Sequence, residues 1–393
     1  MIKMKKKKFV ILIVSVVLAT LMAAGGVFFL VAGMADLTLV SKTEYETAKE
    51  IGKKYEKLYQ LQSMVKDKFL WDYDEEALME SIYKTAVEEL EDKYSYYMTE
   101  EEYGKWYDTI QGTFTGIGVV FTQDDDGTYV VNRVIEGGPA ALGGMKAGDI
   151  LLKVDGKTYD DSTTMATAIR GDAGTSVEVT FERDGKEVTL KLVRAEVTEL
   201  SVYSSVIEEG KDKFGYIQIT SFEAETAKQF ETELADLEGK GVDGLIIDLR
   251  NNPGGMVDQC VEIADQLLPE CMITYTEDKN GEKETYNSDE HSTKLEYVLL
   301  INENSASASE IVAAAVKDNK GGALVGKKTF GKGIIQGTVG FDDGSAMSLT
   351  IMQYFSPNGN KIHKVGVKPD HKVNLPEDAK SDLQLEKALE LLK

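Results

Sequence analysis

Hydrophobic and polar positions along this chain change texture three times. From Phe9 to Ala35 no charged residue occurs, and Lys3, Lys5, Lys6, Lys7 and Lys8 stand before that run. A helix of about 20 apolar residues suffices to cross a bilayer core. The basic flank would stay in the cytoplasm and send the rest of the chain outside. A cleaved signal peptide is the rival reading, but its apolar core is usually about 7–15 residues. This run is longer, which favours an uncleaved anchor, although Ala23-Ala24-Gly25 offers a cleavage site.

Residues 41 to about 110 read as helical. Stretches such as Glu44–Ile51 and Glu75–Tyr83 carry good helix formers with apolar residues three or four apart. Tyr94, Tyr96, Tyr97, Trp106 and Tyr107 form an aromatic cluster expected in a core or helix-packing seam. From Thr113 short alternating strands and glycine turns take over: Gly118–Phe121 and Tyr129–Val131 around an Asp-Asp-Asp-Gly turn, then Gly148–Gly156 and Ser176–Arg183. From Ser201 strands and helices alternate, the pattern of an α/β domain. Strands are expected at Phe214–Ile219, Gly244–Leu249, Tyr297–Ile301 and Ser348–Phe355; helices are expected at Ala224–Leu237, Val257–Leu268, Ser309–Lys317 and Leu383–Leu392. The chain thus divides into a basic segment (1–8), an anchor (9–35), a helical region (36–112), a β-rich module (113–195), an α/β core (196–380) and a terminal helix (381–393).

A formal net charge of −23 over 393 residues argues against a nucleic-acid partner, which calls for clustered Lys and Arg. Cys260 and Cys271 have no metal-ligand spacing around them; a disulfide and two free thiols both remain open. Gly321–Lys327 is close to a phosphate-binding loop, but Lys328 stands where Ser or Thr belongs, and the segment runs from helix into strand instead of the reverse. No Gly-x-Ser-x-Gly or His-Glu-x-x-His motif occurs, and His291, His363 and His371 fall in no triad pattern.

Candidate chemistry lies instead in Ser305-Ala306-Ser307-Ala308-Ser309-Glu310, between an apolar strand and an alanine-rich helix. Backbone N–H groups at a helix start favour developing negative charge, so a serine there can attack a carbonyl with the next amide as oxyanion donor. Serines also cap helices, so any of the three can be structural. A lysine can deprotonate a serine only when its amine is neutral, which desolvation favours. Lys332 sits between glycines with Phe330, Ile334 and Ile335 as an apolar wall, whereas Lys327 and Lys328 read as solvated. Gln336, four residues on, would share a face with Lys332 on a helical turn and hold its amine. Gly254 and Gly255 allow close backbone approach and offer N–H groups.

Together these segments, with Asp248-Leu249-Arg250-Asn251-Asn252-Pro253-Gly254-Gly255 and Thr329-Phe330-Gly331-Lys332-Gly333, closely resemble the carboxyl-terminal processing proteases. These are also called tail-specific proteases and form the S41 family of Ser/Lys peptidases. Asp343-Gly344-Ser345-Ala346 and Gly366-Val367-Lys368-Pro369-Asp370 match the family's usual ending. The resemblance, over about Asp92 to Asp370, implies Ser307 as nucleophile, Lys332 as general base and Gln336 as its orienting partner. It implies an oxyanion hole from the amides of Ala308 and of a glycine in the Gly254/Gly255 pair.

Thr115-Gly116-Ile117-Gly118-Val119 resembles the carboxylate-binding loop of a PDZ domain, which implies that Gly116, Ile117, Gly118 and Val119 bind a peptide C-terminus. Gly137–Ala140 and Met145–Leu151 resemble the segment that follows this loop in bacterial PDZ domains. Arg170 stands where relatives often carry an arginine linked to switching the PDZ domain between positions. The implied fold is multidomain α+β: an N-terminal membrane helix, a helical segment, a β-rich PDZ domain and a crotonase-like α/β Ser/Lys protease core. The implied function is a membrane-anchored serine endopeptidase on the outer side of a bacterial cell membrane, cleaving exported proteins near their C-termini. Its partners would be polypeptide substrates, a second copy of the chain in a homodimer and, as in signalling relatives, an activating protein. No metal or organic cofactor is implied. The competing reading is a membrane-tethered PDZ adaptor with an inactive core.

Overall fold

The computed structural model describes residues 5–34, 40–124, 126–135, 137–376 and 379–393. Lys3, Ala35 and Asp125 of the expected features lie outside these residues. The chain forms two compact units, one ending at Glu76 and one starting at Ala77.

The first unit is helical. Helix α1 (Lys6–Met34) contains Lys6–Phe28, long and apolar enough to cross a membrane by length and composition. Helix α2 (Lys42–Lys68) starts at a reciprocal cap: Ser41 N–H donates to Glu44, and Glu44 N–H donates to Ser41 Oγ. No residue of α2 is buried. Helix α3 (Glu75–Glu88) leads into the second unit.

The helical expectation for 41–110 fails between α3 and α4 (Glu100–Gln111), where strand β1 (Tyr96–Met98) intervenes. Asp92 causes the break. Its carboxylate accepts from Tyr94 N–H at 3.2 Å and Ser95 Oγ–H at 2.7 Å, and its carbonyl accepts from Ser95 N–H. Such side-chain bonds replace helix bonds by a turn, and the tyrosines that follow suit a strand.

The β-rich module comprises β2 (Thr113–Gly116), β3 (Val119–Gln123), β4 (Tyr129–Val134), α5 (Pro139–Leu142), β5 (Ile150–Val154), α6 (Ser162–Ile169), β6 (Ser176–Arg183), β7 (Lys186–Val193) and β8 (Ala195–Thr198). Strands β3 to β7 form one antiparallel sheet in sequence order, and β2 pairs with β8 at the neck where the chain enters and leaves. Ile117, Val131, Leu151, Met165 and Phe181 form its own buried core.

The remaining chain gives β9 (Val202–Glu209), β10 (Asp212–Ile219), α7 (Thr226–Gly239), β11 (Gly244–Asp248), α8 (Val257–Leu267), β12 (Met272–Asp278), β13 (Lys283–Asn287), β14 (Tyr297–Ile301), α9 (Ala308–Asn319), β15 (Ala323–Gly326), β16 (Ile334–Gly340), β17 (Ala346–Phe355), β18 (His371–Lys372) and α10 (Leu383–Leu392). A six-stranded sheet runs β18-β15-β14-β11-β10-β9, parallel except for β9. Every residue of β11 and β14 is buried, because helices cover both faces. Leu245, Ile247, Leu299 and Ile301 pack against α7, α8 and α9, whereas Ile246, Val298 and Leu300 pack against α10. A second sheet joins β1, β17, β12 and β13, with β16 also on β17.

One expectation changes here, and one open alternative is decided. Gln336 lies on strand β16, not on a helical turn, and faces Thr350 of β17 in register. Cys260 and Cys271 are free thiols: Cys260 donates to the Val257 carbonyl, and Cys271 lies 3.2 Å from Ser288 Oγ.

Candidate active site

Two loops at the C-terminal ends of β11 and β14 are fastened to each other. The buried Asp248 accepts from Tyr216 Oη–H at 2.6 Å and pairs with Arg250, which also reaches Asp382. Burial pushes the Tyr216 pKa above its ordinary value, and the adjacent Asp248 charge adds to this. Asn252 donates to the Ile219 carbonyl and accepts from Gly254 N–H at 2.8 Å. The buried Ser305 donates to the Leu249 carbonyl and the buried Ser309 to the Asn252 carbonyl. These two serines hold loop to loop.

Ser307 between them is half-buried, with φ 56° and ψ −116°. A non-glycine residue in that region carries strain of about 1–3 kcal/mol and persists only where its surroundings enforce it. Glu310 supplies the enforcement. Its carboxylate, buried in α9, accepts four hydrogen bonds: Thr329 Oγ1–H at 2.5 Å, Gly331 N–H at 2.7 Å, Lys332 N–H at 2.8 Å and Ser307 N–H at 3.0 Å. The buried Tyr354 hydroxyl lies within hydrogen-bond reach of the Ser307 and Lys332 carbonyl oxygens. Both peptide units of the serine–lysine pair are thus bridged at their N–H and C=O ends.

Ser307, Lys332 and Gln336 line one cavity of about 410 Å³, together with Tyr94, Tyr96 and Trp106. Three of the five clustered aromatic residues, Tyr94, Tyr96 and Trp106, thus face this cavity, whereas Tyr97 packs on Tyr83 of α3 and on Phe341, and Tyr107 on Tyr103. Burial holds the Lys332 amine below its ordinary pKa; the Asp92 charge opposes this and the Lys93 charge adds to it. The amine lies 4.8 Å from the centre of the Tyr94 ring. Gln336 Nε2 donates to Thr350 Oγ1 at 3.1 Å.

Gly254 is pressed against the serine turn: a Cβ there would come within 2.6 Å of Ser307 Cβ and 2.8 Å of the Ala306 carbonyl oxygen. Its N–H is committed to Asn252, whereas Gly255 and Ala308 N–H have no acceptor among the described residues. Lys327 pairs with Glu303 on the surface.

In the β-rich module a second cavity of about 420 Å³ runs between β3 and α6 and includes Gly116, Ile117, Gly118 and Val119. Gly118 has φ 77°, which suits glycine, and the carbonyls of Ile117 and Gly118 are held by Ala140 and Ile135 N–H. The N–H groups of Ile117 and Gly118 have no acceptor among the described residues. Arg170 lines the same groove, its guanidinium 5.8 Å from the centre of the Phe114 ring.

Sequence reading missed Asp92, Thr350 and Tyr354 as site residues and gave Glu310 no role. Only Glu310 left a signal: Ser-x-x-Glu at a helix start is a capping-box pattern.

A PDZ-domain family model matches residues 115–193, and the model for peptidase family S41 matches residues 213–373. Their succession defines the class, a serine-type peptidase with a PDZ domain ahead of it. The chain is 35% identical to the carboxy-terminal processing protease CtpA of Bacillus subtilis (strain 168), over 83% of this chain and 70% of the relative. It is 33% identical to a carboxyl-terminal-processing protease of Synechocystis, over 78% of this chain and 76% of the relative. The solved photosystem II D1 C-terminal processing protease superposes with a TM-score of 0.50 at 30% identity, covering 85% of this chain and 90% of that one. The chain belongs to peptidase family S41, among the carboxy-terminal processing serine proteases.

Proposed function

We propose that this chain is a Ser/Lys endopeptidase that cleaves exported polypeptides near their C-termini, held to the outer face of a bacterial membrane by α1. One observation carries this reading: Glu310 ties the backbone of Ser307 to that of Lys332 beside a cavity in which burial favours the neutral lysine. In the proposed mechanism the Lys332 amine takes the Ser307 Oγ proton as the oxygen attacks the scissile carbonyl. The N–H groups of Ala308 and Gly255 receive the oxyanion. The resulting ammonium protonates the leaving amine, and water then hydrolyses the acyl-enzyme with Lys332 again as base. Cleavage of a peptide with an apolar C-terminus, absent in Ser307→Ala, supports the peptidase. Tight binding without cleavage under activating conditions supports the adaptor instead.

The PDZ groove recruits the substrate's terminal carboxylate through the N–H groups of Ile117 and Gly118, with Gly116 and Val119 flanking them. Arg170, at the groove's edge, would link occupancy to domain position. Hydrogen bonds to a charged group contribute about 1.5–3 kcal/mol, so amidating the substrate C-terminus should raise KM about 10- to 100-fold with kcat little changed. Equal KM values for the acid and amide would remove the recruiting role.

A homodimer through α2 is part of this proposal, supported by its unburied surface, where Ala48, Ile51, Tyr55, Leu58 and Val65, with Phe69 at the C-cap, keep the spacing of a coiled-coil seam. Leu58→Lys should convert detergent-solubilised dimer to monomer in analytical ultracentrifugation. An unchanged sedimentation profile counts against this seam.

A further inference from the structure

Asp92 lies outside both family-model matches and before the PDZ module, yet its charge acts on Lys332, which lines the cavity that holds Ser307. Strand β1 brings it there by pairing with β17, with Tyr96 opposite Ser348. Asp92 Oδ2 accepts from Thr350 Oγ1–H at 2.6 Å and from Ser95 Oγ–H at 2.7 Å. Ser95 Oγ in turn accepts from Thr350 N–H at 3.0 Å, so both polar groups on Thr350's near side are held by the 92–95 turn. Thr350 Oγ1 accepts from Gln336 Nε2 at 3.1 Å.

The order of donors matters. A threonine hydroxyl has one proton. With that proton directed to Asp92, Oγ1 is an acceptor only, and the end of Gln336 facing it must be the NH₂ group. The other end, Oε1, is then the acceptor left for an ammonium or amine in the cavity. A neutral or reversed arrangement at Thr350 would let Gln336 turn over and present NH₂ to Lys332, donor against donor.

We propose that Asp92 is a positioning residue for the Ser/Lys reaction: through Thr350 it fixes the amide of Gln336 so that Oε1 faces the Lys332 amine. This rests on the Ser/Lys reading above. The carboxylate is suited to the task. Burial pushes its pKa up, but hydrogen bonds from Thr350, Ser95 and Tyr94 and the charge of His363 bring it below its ordinary value. Asp92 also acts on Lys332 directly, because its charge favours the ammonium. The other groups in that field are Lys93 and the Tyr94 ring on the same turn, and His363 in the segment after β17. Burial together with the charges of Lys364 and Lys361 holds the His363 pKa below its ordinary value, against the Asp92 charge, which raises it.

The test compares Asp92→Asn, Thr350→Val, Thr350→Ser and Gln336→Ala in the full-length, detergent-solubilised protein, with a free-acid peptide as substrate. A misplaced catalytic group slows a reaction by about 10²-fold, so Asp92→Asn should lower kcat about 10- to 100-fold with KM within about twofold. Its acid limb in the kcat/KM profile should move to lower pH, because the charge that favours the ammonium is gone. Thr350→Val should lower kcat without moving the limb, and Thr350→Ser should restore it. Asp92→Asn combined with Gln336→Ala should be no slower than Gln336→Ala alone, since both act through one amide. Wild-type kcat and pH limb in Asp92→Asn, an unaffected Thr350→Val, or losses that add with Gln336→Ala would each overturn the proposal. Ser307→Ala and Lys332→Ala run beside them: if those still cleave, the dyad itself is wrong. If those are inactive while Asp92→Asn is normal, only the role of Asp92 falls.

Discussion

Lys332→Arg is expected to abolish peptide cleavage while leaving the fold intact. Arginine keeps the positive charge and much of the length, but it does not deprotonate in proteins, so it cannot take the Ser307 proton. The backbone ties of residue 332 to Glu310 and Tyr354 involve its N–H and C=O, which the substitution leaves in place. Removing one member of a catalytic unit lowers turnover by on the order of 10⁴-fold or more. Lys332→Ala should be equally inactive. The same argument sets the pH dependence of the unaltered protein. Burial lowers the lysine's folded-state pKa, so activity should rise with pH through a limb below the value of about 10.4 for free lysine. Steady-state kinetics with a thermal-unfolding control is the measurement. Wild-type turnover in Lys332→Arg would remove the lysine from the role of base.

Glu310→Gln should damage stability and turnover together. The carboxylate accepts from Ser307, Thr329, Gly331 and Lys332, two donors on each oxygen. A glutamine offers one acceptor oxygen and turns an NH₂ group toward the other two donors. Each buried donor left unsatisfied costs about 1–3 kcal/mol, so the variant should lose about 2–6 kcal/mol in denaturant unfolding. Because two of the donors are the N–H groups of Ser307 and Lys332, kcat should fall by about 10²-fold as well. Burial raises the Glu310 pKa despite its four donors. A raised folded pKa means that its contribution to stability is present below the ordinary glutamate value and lost as pH rises through the folded one. Glu310→Gln should therefore also flatten stability against pH in that range. Unchanged stability and kcat would show that the four bonds are dispensable.

Much of this was legible beforehand. The α/β alternation from Ser201 gave the buried strands at Gly244 and Tyr297 and the helices after them, because a parallel sheet covered on both faces demands near-continuous apolar runs. The break at Asp92 was not legible. Helix formers surround it, and the turn becomes stable only because Ser95 and Thr350, far apart in the chain, complete the carboxylate's hydrogen bonds. Gln336 was misplaced for a related reason: a spacing of four fits a helix, but pairing with β17 makes the segment a strand.

The opening apolar run, the β-rich module, the α/β core and the residues of the serine and lysine motifs were all set by local pattern. Periodicity and composition act over a few residues and need no partner to be read. The sequence alone also named the chemistry available, a serine and a lysine of uncertain exposure. Only the tertiary structure showed Ser305 and Ser309 fastening loop to loop on either side of Ser307, and committed the Gly254 N–H to Asn252. Only it joined Ser307 to Lys332 through Glu310 and drew Asp92 toward Gln336. Those outcomes depend on which donor meets which acceptor and how much water is excluded, and neither exists until distant segments pack together.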